Sequence, residues 1–82
     1  MPTVLRFSGL RVIVYPTDHR PAHVHVIGQG CEVIFILTCP QGPVEIRENY
    51  GFSGRMLKII RRTLNANITL LCQAWEALHG IS

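Results

Sequence analysis

Apolar and polar positions alternate along the first fifty residues and then change period. Val4-Leu5-Arg6-Phe7, the Ser8-Gly9 dipeptide and Leu10 to Tyr15 predict two short strands around a tight turn. His23-Val24-His25-Val26-Ile27 alternates at period two, and Gly28-Gln29-Gly30 separates it from a second β-rich run, Cys31 to Thr38. A second hairpin is expected there. Between the hairpins, Pro16 to Pro21 cannot continue a central strand, because each proline removes a ladder donor. After Cys39-Pro40-Gln41-Gly42-Pro43, the run Val44-Glu45-Ile46 reads as a short edge strand and Arg47 to Phe52 as irregular.

From Ser53 onward the period is helical. Ser53 suits an N-cap, and Leu57, Ile60, Leu64, Ile68, Leu71, Trp75 and Leu78 recur at steps of three and four until Gly80 stops the run. Asn65-Ala66-Asn67 is its weakest stretch. Residues 1–82 are therefore expected to form a single α+β domain. It would hold an antiparallel sheet of about four strands in two hairpins and a long C-terminal helix packed across it. One long or slightly bent helix fits the stripe best, and a split near residue 66 is the alternative. Ile59 and Leu70 fall off the main stripe and imply a second packing surface.

Composition sharpens that last point. Of the 82 residues, 48% are apolar and only 16% are charged, and a core this small rarely supplies more than ~5 kcal/mol alone. A homo-oligomer or a small partner protein is expected. Eight cationic residues against five acidic ones, net +3, permit nucleic-acid binding without indicating it. Cys31, Cys39 and Cys72 are odd in number and form no CxxC pair, so they read as reduced, mostly buried thiols. No apolar stretch is long enough for a membrane span and the N-terminus lacks a signal-peptide pattern, which makes the cytoplasm the expected compartment.

Chemistry concentrates in His19-Arg20-Pro21-Ala22-His23-Val24-His25-Val26. On a strand His23 and His25 share a face, opposite Val24 and Val26, with His19 on the adjoining loop. The plainest reading is structural: the rings hydrogen-bond to backbone or to Tyr15. Proton transfer or ligand contact by His19, His23 and His25 is the catalytic alternative. A metal is the third reading and needs another ligand. Glu32 supplies one if Gln29-Gly30 is a two-residue turn, whereas a three-residue loop would oppose His25 to Val33. No cofactor is expected and no metal ligand set is assigned. Arg55, Lys58, Arg61 and Arg62 form a basic helix cluster suited to phosphates or an acidic partner, and Asn49-Tyr50-Gly51-Phe52-Ser53 delivers an aromatic pair to the helix start. Tyr50 joins the cationic residues as a binding candidate.

The opening Met1-Pro2-Thr3-Val4-Leu5-Arg6-Phe7, the His19-x-Pro21-x-His23-Val24-His25-Val26 signature, Asn49-Tyr50-Gly51-Phe52-Ser53 and Gln73-Ala74-Trp75 together resemble the domain of unknown function 4160 family. The resemblance implies a small prokaryotic protein, often encoded beside another short protein and proposed to belong to a toxin–antitoxin-like pair. Ala22 stands where members usually carry a second proline. Ile68-Thr69-Leu70-Leu71-Cys72 is less acidic than the family's helix, which favours self-association here. The function expected is an interaction module that binds a partner protein, with nucleic acid as a further ligand. The alternative is a small RNase-like toxin using His23 and His25 as acid and base.

Overall fold

The computed structural model describes residues 3–80, so Met1 and Pro2 of the opening motif lie outside the described residues. Strands β1 (Thr3–Phe7), β2 (Leu10–Ile13), β3 (His23–Gly28), β4 (Cys31–Ile36) and β5 (Glu45–Tyr50) pair in chain order as an antiparallel meander. Helices α1 (Gly54–Ala66) and α2 (Ile68–His79) follow. Both hairpins turn on two residues of positive φ, Ser8-Gly9 and Gln29-Gly30, the left-handed pair that a type I′ turn requires. The second turn sets Gly28 against Cys31 and His25 against Ile34, which is the two-residue register.

The α+β class holds, but the sheet has five strands rather than about four. Of the stretch read as irregular, Arg47 to Phe52, the part from Arg47 to Tyr50 is the rest of β5, which pairs with β4 as far as Tyr50 opposite Glu32, while Gly51 and Phe52 lie outside the strand. Every β5 side chain except Ile46 is exposed. Backbone pairing, not apolar alternation, makes it a strand, and alternation was the signal available.

The helical run divides at Asn67, the split form of the two expected. Ser53 Oγ accepts the Met56 N–H at 3.2 Å and fixes the start of α1. At its end Asn65 Oδ1 accepts the Val44 N–H at 2.9 Å and Asn67 Nδ2 donates to the Thr63 carbonyl at 2.8 Å. Side chains that satisfy nearby and distant backbone groups in this way compete with the continuous helical ladder. Ile60, Leu64, Leu71 and Trp75 share one buried cluster with Val12, Val24, Val26, Val33 and Phe35. Both helices therefore cover the valine face of β3. Leu78, assigned to the same stripe, is exposed, as are Ile59 and Leu70.

Cys39 and Cys72 form a disulfide across 33 residues, and Cys31 alone is free. The expectation of three reduced thiols is corrected for two of them. Their pairing depends on where α2 crosses the loop after β4, and no spacing rule encodes that. By chain entropy a loop of this length contributes about 3–4 kcal/mol, a large share of what so small a domain needs.

Two substitutions separate the buried helix face from the open one. Leu64→Ala should lower the unfolding free energy by about 2–5 kcal/mol, whereas Leu70→Ala should change it by less than about 1 kcal/mol. Urea titrations of both variants check this, and equal losses would contradict the helix orientation.

Candidate metal centre

Period-two geometry on β3 sends His23 and His25 away from the valine core and onto the other face of the sheet. The loop after β2 covers them. It turns at Asp18, whose N–H donates to the Tyr15 carbonyl at 3.1 Å while its Oδ2 accepts the Tyr15 N–H at 3.2 Å. That aspartate turn holds the carboxylate over both imidazoles. Asp18 Oδ2 lies 3.4 Å from His23 Nε2 and 3.3 Å from His25 Nε2. All three donor atoms fall within 4.8 Å of one another.

The outer ring nitrogens decide what the inner ones carry. His23 Nδ1 meets the Pro21 carbonyl at 2.8 Å, and His25 Nδ1 meets Glu32 Oε2 at 2.9 Å. A carbonyl and an ionised carboxylate only accept, so each Nδ1 bears the hydrogen, and in its neutral form each ring points a bare Nε2 lone pair at Asp18. Among the described residues the buried His25 Nε2 has no hydrogen-bond partner. Lone pairs and a carboxylate oxygen facing one another repel unless a cation stands between them. Two protons or one metal ion meet that need.

Burial restricts what can enter. The side chain of His23 is 6% exposed, and those of Asp18 and His25 are 14% exposed. Tyr15 presents its ring edge to His25 at 4.8 Å between centroids, and Trp75 packs on His23 at 5.3 Å. Trp75 also stacks on His79 at 3.9 Å, and His79 Nε2 donates to the Tyr15 carbonyl at 3.0 Å. Strand β3, the Asp18 loop and the end of α2 thus converge on one small polar chamber.

Among the residues singled out from the sequence, His23 and His25 come together, and His19 remains exposed on the loop outside the cluster. Glu32 does reach His25, but at the outer nitrogen. The inner carboxylate is Asp18, which sequence reasoning missed; its place beside His19 among only five acidic residues was the available signal. Arg55, Lys58, Arg61 and Arg62 are exposed on α1. Arg61 also lies over the Phe35 ring at 5.8 Å and donates to the Val44 carbonyl at 3.5 Å. Tyr50 is exposed at the end of β5, across from Glu32.

A small α+β domain with a two-histidine, one-carboxylate cluster is the class that fold and site define. A family model described as Domain of unknown function (DUF4160) matches residues 9–76, and the chain belongs to that family. No curated protein and no solved structure matches the chain.

The tautomers are directly observable. Long-range 1H–15N spectra of the neutral rings should show both His23 and His25 protonated at Nδ1. Protonation at Nε2 in both would remove the converging lone pairs.

Proposed function

We propose that the chain is a small metal-binding protein whose Asp18, His23 and His25 hold one first-row divalent cation of the zinc type. The carrying observation is the convergence of two imidazole Nε2 atoms on one carboxylate oxygen, with both outer nitrogens already committed. Ligands about 2.0–2.1 Å from a tetrahedral ion stand roughly 3.3 Å apart, which is the spacing of Asp18 to either ring, while the three donors together lie within 4.8 Å, so that a bound ion would draw the two rings closer. A histidine ligand whose other nitrogen donates to a carboxylate or carbonyl is the usual outer arrangement of protein metal sites. Asp18 and Glu32 bring two negative charges to two neutral rings, and a divalent cation balances them. Two imidazoles and a carboxylate suit zinc, cobalt, iron or nickel in the +2 state. Three protein ligands leave a coordination position for water or a small ligand, the pattern of a site that can do chemistry.

The RNase-like alternative fits less well. An acid and a base for RNA must touch the sugar, and rings shielded to this degree admit an ion or water more readily than a polymer. Interaction with a partner protein stays as a second reading, because Leu70 is exposed on the side of α2 turned from its buried residues and Leu78 is exposed in its last turn. The exposed Arg55, Lys58, Arg61 and Arg62 would then meet acidic groups or phosphates near that surface.

Each reading has its measurement. With free Zn2+ or Co2+ at a hundred times Kd, melting should rise by roughly 10 °C or more. Co2+ should develop visible absorption, and Asp18→Asn or His23→Gln plus His25→Gln should remove both effects. A parent protein that responds to none of these ions overturns the metal reading. For the second reading, light scattering at micromolar concentration should exceed the 9.2 kDa monomer and return to it in Leu70→Asp plus Leu78→Asp. A purely monomeric parent counts against self-association.

A further inference from the structure

Beside the metal cluster lies a cleft of about 500 Å³, lined by Arg20, Pro21, Ala22, Ile36, Thr38 and Cys39. Its walls belong to the elements that hold His23. Ile36 is the cross-strand partner of His23, the Pro21 carbonyl fixes the His23 ring, and Ala22 accepts the Leu37 N–H at 2.9 Å. Of the two bonded sulfurs, half-buried Cys39 borders this cleft, whereas Cys72 is buried on α2 at 3% exposure. An incoming nucleophile therefore meets Cys39 first.

The far end of that disulfide also reaches the cluster. Cys72 sits one helical turn before Trp75, which packs on His23 and stacks on His79. His79 holds the Tyr15 carbonyl, and the Tyr15 N–H donates to Asp18. Through α2 the sulfur bridge thus supports two of the three ligands.

We propose that the cleft is a docking site for a small thiol that attacks Cys39, and that opening the Cys39–Cys72 bridge releases the metal. This rests on the metal reading above. The incoming thiolate bonds to Cys39 Sγ as the S–S bond breaks and Cys72 leaves as a thiolate. A second thiol then frees Cys39, and the pair of small thiols departs as its own disulfide, having supplied the two electrons. Once the bridge is open, α2 is no longer tied to the loop after β4, and its hold on His23 and Tyr15 slackens. Loss of such outer support weakens metal sites by about 10–100-fold.

The test compares oxidised protein with protein reduced by a phosphine that is then removed without air. Co2+ affinity should fall at least about tenfold on reduction and recover on reoxidation. Cys39→Ser plus Cys72→Ser should bind weakly whatever the treatment, and Cys31→Ser should respond like the parent. Should the double variant fail to fold, the comparison of oxidised and reduced parent still decides. Reduced glutathione, used as the probe thiol, should give a mixed disulfide at Cys39, read by peptide mass spectrometry. Adducts confined to Cys31 or Cys72 overturn the docking site. Equal Co2+ affinity in both states overturns the latch and leaves the metal site standing, whereas no Co2+ binding in either state overturns the metal site itself.

Discussion

The alternation of β3 is the constraint from which the remaining architecture follows. It is the third of five strands among the described residues, and both of its faces are covered. Val24 and Val26 are covered by the helices. His23 and His25 are covered by the loop after β2, and a loop of ordinary polar residues over two imidazoles would leave ring nitrogens unmatched. Asp18 answers that demand only together with a cation, since its carboxylate oxygen faces a nitrogen of each ring while its own turn is tied to Tyr15. The match is incomplete at His25 Nε2. An unsatisfied buried polar atom costs about 1–3 kcal/mol, and a site that persists at such a cost is where function is to be sought.

Much of this was legible in the residues. The period-two run put both histidines on one face, the Gln29-Gly30 turn gave the register that brings Glu32 to His25, and the helical stripe found Ile60, Leu64, Leu71 and Trp75. What escaped lacked any local pattern. Strand β5 buries almost nothing, so its hydrogen bonds to β4 leave no trace in hydropathy. Asp18 belongs to a loop whose path is set by Pro16, Pro21 and the faces it must cover. Cys39 and Cys72 meet only because α2 crosses the end of β4. In each case the missing information was tertiary, and short-range periodicity cannot carry it.

Leu78 shows the same limit from the other side. It fits the helical stripe by spacing and, seven residues after Leu71 and three after Trp75, shares their side of α2, yet in the last turn of that helix it is exposed. Spacing assigns a side of the helix, and not whether anything packs against it. The two asparagines that cause the break also fasten Val44 and Thr63, so the interruption anchors the link between sheet and helices.

Stability and site then share their supports. A domain of this size buries a modest core, and the bridge between Cys39 and Cys72 adds about 3–4 kcal/mol by loop entropy. A cation at a hundred times its dissociation constant would add about 2.7 kcal/mol, a comparable amount. These two contributions do not act on separate parts of the molecule. The sulfur bridge fastens α2 to the loop after β4, Trp75 and His79 on α2 fasten His23 and Tyr15, and the cation would fasten Asp18 to the same histidine. Contacts joined in this way couple, so the effects of losing them do not simply add. The segment from Tyr15 to His25 is therefore the part of the chain where folding and ligand binding are least separable.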